Sequence, residues 1–341
     1  MVSVEGIDAR KWDQIQPVYQ EFLEREIDSA EALEQWLLEL GQFDAFVGET
    51  GSMLYVEMTC DTENEEIKQA YLDFVEQVQP ELAKVGDLLN RKLADSPHAD
   101  ALDSVEYNVL LRDTRMDLAL FREENIALGT ELTKLGQRYN EICGSMTVDF
   151  DGEERTMQQM GKYLQVNDRE VRESAYRAVG ERRFQDSEEI DELFDKMVGL
   201  RHQIALNAGY ENFRDYTFDA KHRFDYTPDD CESFQNAIEQ ICVPLMRDID
   251  EERRAVLGLD ALRMWDMGHD VKGRSPLQPF AEVEEMVAGT SRMFHRLSPE
   301  LGEFFDSLRD GTSLDLDSRK GKAPGGYQLQ RDHSRKPFIF M

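Results

Sequence analysis

The chain has 341 residues, with 70 Asp and Glu against 39 Lys and Arg, giving a formal net charge of −31. Hydrophobic residues at 40% supply a core, so wholesale disorder is excluded, and no stretch approaches the ~18 uninterrupted apolar residues of a membrane span. A pI near 4.5 repels a phosphate backbone, so neither nucleic acid nor a membrane is an expected partner.

The length suggests two domains at about 150 residues each. Residues 1–14 carry neither a basic flank nor an apolar run, which predicts no secretory signal. Cys60, Cys143, Cys231 and Cys242 show no CxxC spacing, and a reduced cytoplasm fits them best. The many carboxylates read first as solvated helix faces. An acidic cleft for cationic peptides is the sharper alternative, and composition does not separate the two.

The dominant period is helical. Ile15, Val18, Tyr19, Phe22, Leu33, Trp36, Leu37 and Leu40 recur mostly at helical spacing, with Gly41 as the expected stop. A second pattern runs from Ile67 to Leu93, where Pro80 kinks or restarts the helix. A third runs from Leu128 to Ile142. Val148 and Phe150 then alternate with polar residues before Asp151-Gly152, which predicts a hairpin over 147–156. Helices resume with Asp168 as N-cap, and Gly209 reads as a helix C-cap. Thr227-Pro228-Asp229-Asp230 is a helix start with cap, proline and acids in order, and Ser298-Pro299-Glu300 repeats it.

The last thirty residues differ. Tyr327-Gln328-Leu329 and Pro337-Phe338-Ile339-Phe340-Met341 read as two short strands paired as a hairpin. The sequence stops inside an apolar strand, so the expectation is a chain cut short at this end. Phe338, Ile339 and Phe340 would then lie open to water and favour aggregation.

Catalytic chemistry is hard to find in the residues themselves. The histidines His98, His202, His222, His269, His295 and His333 include no pair at the i, i+4 spacing of a helical zinc site. No GxSxG elbow and no cysteine-nucleophile signature is present. Residues 321–326 are glycine-rich without the order of a phosphate-binding loop. They read equally as a flexible turn and as backbone lying close to a ligand.

The carboxyl third carries the recognisable motifs. The string Asp315-Leu316-Asp317-Ser318-Arg319-Lys320-Gly321-Lys322-Ala323-Pro324-Gly325-Gly326-Tyr327, followed by Pro337-Phe338-Ile339-Phe340-Met341, resembles the oligoendopeptidase F branch of the thimet-oligopeptidase-like zinc metallopeptidases. Residues 200–210, Arg214-Asp215-Tyr216, 221–228 and Leu262-Arg263-Met264-Trp265-Asp266 resemble it in the same order, although Met264 stands where that family usually has proline. The likeness is strong over 195–341 and looser over 1–190.

That resemblance implies a mainly α fold, the long helices of a zincin-type oligopeptidase ellipsoid, with a small hairpin near 147–156 and short strands near 325–341. It implies a helical N-terminal region over 1–190 and the start of a metallopeptidase catalytic domain over 191–341. The family cleaves short peptides with zinc held by His-Glu-x-x-His and a later Glu, and this sequence contains no such motif. No catalytic residue and no metal ligand is therefore carried over, and no zinc is expected on this chain. Gly325, Gly326 and Tyr327 are carried over as a substrate-binding edge strand, with a strand that merely supports the site floor as the alternative. Trp265, Phe224 and Tyr226 are expected to pack in the core. The leading expectation is an incomplete, inactive peptidase fragment. A helical peptide-binding protein and one half of a split enzyme completed by a C-terminal chain are the alternatives.

Overall fold

A computed structural model of the chain describes residues 4–310 and 312–341. The order is α1 (Trp12–Glu24), α2 (Ala30–Cys60), α3 (Glu65–Gln77), α4 (Gln79–Ala94), α5 (Ser104–Leu120), α6 (Glu124–Gly144), β1 (Thr147–Phe150) and β2 (Glu153–Thr156). Then come α7 (Arg169–Gln185), α8 (Ser187–Asn207), α9 (Phe213–Ala220), α10 (Pro228–Ala237), α11 (Val243–Leu257), α12 (Val283–Leu297), α13 (Pro299–Arg309), β3 (Leu314–Asp315), β4 (Tyr327–Leu329) and β5 (Phe338–Phe340). The fold is mainly α, as the sequence predicts. Two compact units divide it. The first comprises Met1–Glu141, Glu192–Phe224 and Ala323–Phe340, and the second Ile142–Asp191, Asp225–Lys322 and Met341.

In the first unit, Ile15, Tyr19 and Phe22 of α1 pack with Leu33, Trp36 and Phe43 of α2 and with Leu89 and Leu93 of α4. Tyr19 meets Phe43 edge-on at 5.0 Å, and the Trp36 indole donates to the Phe22 carbonyl at 3.0 Å. Lys92 donates to the carbonyls of Phe22 and Leu23, so a cation covers orphan acceptors at the end of α1. Pro80 restarts the helix as expected, standing in the first turn of α4.

Gly41 does not stop α2, which continues to Cys60. A mid-helix glycine costs about 1 kcal/mol against alanine. Burial of Phe43, Val47 and Leu54 beyond it outweighs that penalty, at roughly 1.5–3 kcal/mol for each large side chain. At Gly51 the constraint is contact, because a Cβ there would lie 2.6 Å from the Phe74 ring of α3.

In the second unit, β1 and β2 form the predicted hairpin, with Val148 opposite Arg155 and Phe150 opposite Glu153. Asp151 and Gly152 both have positive φ, the requirement of a tight two-residue turn. Phe150 packs edge-on against Tyr163 at 4.8 Å, over a cluster that includes Met160 and Ala175. Asp168 caps α7 by accepting from the Glu170 and Val171 amides. Thr227 and Asp230 form a reciprocal capping box at α10. Ser298 starts α13 without a side-chain cap bond, so Pro299 and the first-turn Glu300 mark that start.

The carboxyl segment corrects one expectation. Phe338 and Phe340 are not open to water; both are buried with Val56 of α2 and Ala323, and only Ile339 is half-exposed. Strand alternation sends the two phenylalanines to the same face. Replacing Phe340 with alanine is expected to lower unfolding free energy by ~3–5 kcal/mol in urea titrations. A loss below ~1 kcal/mol would mean that this face is not a core.

Candidate functional site

The sequence-predicted site residues lie in the first unit, at the turn into β4. Gly325 and Gly326 are exposed, and Gly325 has φ +95°, a conformation that L side chains rarely adopt. Strand β4 runs antiparallel to β5, with Tyr327 opposite Phe340 and Leu329 opposite Phe338. β4 ends its sheet and pairs with no strand other than β5 among the described residues. One edge of its backbone thus has no strand partner among the described residues.

The Tyr327 side chain is used to hold β4 down. Its ring stacks on Phe340 at 4.7 Å and 8°, and lies 5.8 Å from Tyr55 of α2. Its hydroxyl is 2.6 Å from the Thr59 hydroxyl, which itself donates to the Val56 carbonyl at 3.0 Å. With the Thr59 proton so engaged, the Tyr327 O–H is the donor. The Ala323 amide donates to the Thr59 carbonyl at 2.8 Å, fixing the approach to the strand.

The rest of the recognised string organises the second unit. Lys322 is buried, and its ammonium donates to the Asp315 carboxylate at 2.8 Å and to the carbonyls of Asp315, Asp317 and Met341. Arg319 grips the same carboxylate through two bonds of 2.7 and 2.6 Å. Three anionic or dipolar acceptors beside one carboxylate satisfy a cation that water does not reach. Their joint effect is to fix Met341.

A second buried ionic centre surrounds Asp266, which is fully buried. Arg169 of α7 binds it through two 2.9 Å bonds, the Arg263 amide donates at 3.0 Å, and Arg172 donates at 3.3 Å. Arg172, also buried, reaches the carbonyls of Trp265, Val166 and Asn167. Burial opposes the Asp266 charge, but the donors outweigh it and hold the carboxyl below its ordinary range. The sequence singled out Trp265-Asp266 without seeing these arginines, whose i, i+3 spacing on α7 is the only local signal of a paired grip.

The other recognised stretches also make structural bonds. Arg122 donates to the carbonyls of Asn207 and Ala208 at the end of α8, and Asn125 bonds Asn207 and the Ile204 carbonyl. Gly209 has φ +89°, so the predicted cap is correct. Tyr210 donates to Asp219, and burial with that carboxylate pushes its phenol up to about 12. Trp265 is buried and Phe224 half-buried beneath Arg112, but Tyr226 is 43% exposed and is not core.

Three of the histidines are held by other partners. His222 bonds Asp117 at 2.8 Å, His295 bonds Asp306 at 2.8 Å, and His333 lies edge-on to Phe46 at 5.5 Å. Among the described residues no three His, Cys, Asp or Glu side chains converge as ligands. The described residues do not fit a zinc ion.

The assignment then follows from comparison. Residues 162–341 match peptidase family M3, and residues 7–121 match the peptidase M3 N-terminal domain. The chain belongs to peptidase family M3. A solved structure, PZ peptidase A with inhibitor 2, is 26% identical with a TM-score of 0.91, covering 98% of this chain and 59% of that one. A structure assigned as oligoendopeptidase F matches with 26% identity and TM-score 0.91, over 98% of this chain and 60% of that chain. One from Bacillus anthracis str. Ames, at 24% identity and TM-score 0.91 over 98% and 62%, shares the fold. No curated protein matches. The chain spans about three fifths of the length of these solved structures. It is oligoendopeptidase F-like in sequence motif and fold alike.

Two measurements probe the Asp266 centre. Asp266→Ala strands Arg172 in the interior and is expected to cost ~3–5 kcal/mol in chemical unfolding. His269, buried beside Arg172, has its basicity lowered first by burial and then by that charge. A depressed folded value means that the unfolded chain binds the proton more readily, so stability falls as pH drops below ~6.5. His269→Gln should show a shallower decline from pH 7 to 5 than the parent; parallel profiles would contradict this assignment.

Proposed function

We propose that this chain is the front portion of a zinc-dependent metalloendopeptidase of the oligoendopeptidase F type, whose substrates are short peptides. Residues 1–190 would form its helical N-terminal region and 191–341 the opening of its catalytic domain. The observation that carries this reading is the M3 match over 162–341 together with a TM-score of 0.91 to PZ peptidase A. Zinc would be supplied with ligands from outside these 341 residues, which hold no His-Glu-x-x-His. By itself the chain then binds no stoichiometric metal and hydrolyses no peptide. The free thiols Cys143, Cys231 and Cys242 support a reduced, cytoplasmic setting, and no described helix is long and apolar enough to cross a membrane.

Within the chain, the substrate contact proposed is β4. A short peptide adds to its open edge as a further strand, and backbone hydrogen bonds supply affinity with little regard to side chains. Gly325 and Gly326 let the peptide approach, and Tyr327, tied to Thr59 and Phe340, keeps the edge rigid. Rigidity matters because an ordered strand loses less freedom on binding.

Fluorescence anisotropy with a labelled bradykinin-like peptide tests the contact. Gly326→Val is expected to weaken binding by about tenfold, or ~1.4 kcal/mol. Unchanged affinity would remove β4 from the site. Metal analysis of the purified 341-residue chain should find far less than one zinc per molecule, and chelator-sensitive hydrolysis by that chain would refute the assignment of the ligands elsewhere.

A further inference from the structure

In the first unit, one side of α2 and the turn between β4 and β5 enclose a cavity of about 850 Å³. That volume lies within the ~300–1,000 Å³ of small-molecule sites. The turn is fixed to the helix at two points: the Ser334 amide donates to Glu49 at 2.7 Å, and His333 lies edge-on to Phe46. Both walls are therefore set before any ligand arrives. Leu37, Leu38 and Ala45 supply apolar lining, and Leu38 is 52% exposed.

The charges on the lining select the ligand. Asp44 on the helix wall accepts from the Tyr19 hydroxyl at 2.8 Å, and Tyr19 is itself buried, so the core holds this carboxylate in place. Protein packed around Asp44 raises its carboxyl above the ordinary range even against that bond. A carboxylate so short of donors gains from an added ammonium. The turn wall carries Asp332 and Arg335, and among the described residues neither side chain has a hydrogen-bond or ion-pair partner. Two carboxylates against one guanidinium repel a simple anion, whereas a simple cation leaves Arg335 unmatched. A zwitterion answers both.

We propose that this cavity binds a short apolar peptide as its zwitterion, with the terminal ammonium on Asp44, the side chains on Leu37, Leu38 and Ala45, and the terminal carboxylate on Arg335. The ligand then bridges α2 and the β4–β5 turn. Because it binds only the folded chain, it raises the melting temperature. None of these residues belongs to β4 or to the glycines before it, so the site stands apart from strand addition and does not rest on it.

Titration calorimetry of the 341-residue chain with the dipeptide Leu-Leu tests the site. Equimolar binding is expected, with a Kd on the order of 1 mM or tighter. N-acetyl-Leu-Leu lacks the ammonium and Leu-Leu amide lacks the carboxylate, and each should bind at least about fivefold more weakly. Asp44→Asn, which keeps an acceptor for Tyr19, should weaken Leu-Leu by about tenfold, and Arg335→Gln by about fivefold. Circular dichroism of the ligand-free variants should show the parental melt; should Asp44→Asn not fold, the two blocked dipeptides on the parent chain give the same readout. Absence of both binding heat and a melting shift overturns the site. Affinity indifferent to the acetyl cap or to Asp44→Asn also overturns it, and an amide that binds as tightly as the free acid overturns the zwitterion in favour of a simple amine. A dipeptide is too short to pair along β4, so failure of the strand-addition contact leaves this result readable.

Discussion

The contact between β4–β5 and the carboxyl half of α2 decides how firmly the edge strand β4 is held. Two phenylalanines from β5 and the Tyr327 ring from β4 lie on Val56, Tyr55 and Thr59, which one helical stretch presents together. An isolated two-stranded hairpin is marginal in water, so the strands depend on this apolar seat. The helix in turn is placed by the core around Trp36 and Phe43. The edge of β4 is therefore only as firm as the helix beneath it.

The two buried ionic centres follow a common logic with different geometry. Asp266 is a single anion shared by two arginines and an amide, whereas Lys322 is a single cation shared by a carboxylate and three carbonyls. In both, the charge is surrounded by enough partners to offset its lost hydration, and removal of one partner exposes the full penalty. Such centres fix where a loop lies more than they add stability. Here they fix the Trp265-Asp266 turn and the residue that follows β5.

Much of the fold was legible in the sequence because local signals agreed with tertiary ones. The Thr227 box, the Asp151-Gly152 turn, Pro80 and Gly209 each have a backbone reason that requires no distant partner. Gly41 misled because propensity is a weak prior and burial on both sides of it prevailed. The phenylalanines of β5 misled for the opposite reason: their cover comes from α2, nearly three hundred residues earlier, which no local pattern announces. Tyr226 followed the same rule, apolar by type but placed at the surface by its loop. The candidate edge strand was readable only through family likeness, since glycines before a short strand have no chemistry of their own. The arginine partners of Asp266 were invisible for want of any sequence sign linking α7 to residue 266.

The segmented make-up of the first unit bears on how it is made. Its helices α1–α5 leave the ribosome early, but the strands that seat on α2 belong to residues 323–340. At about 5–20 residues per second, that segment follows α2 by roughly 14–56 s. Throughout that interval Met53, Val56 and their neighbours present a bare apolar strip to water or to a chaperone. Nascent-chain safeguarding, and not only the finished architecture, would thus shape which substitutions on this side of α2 a cell tolerates.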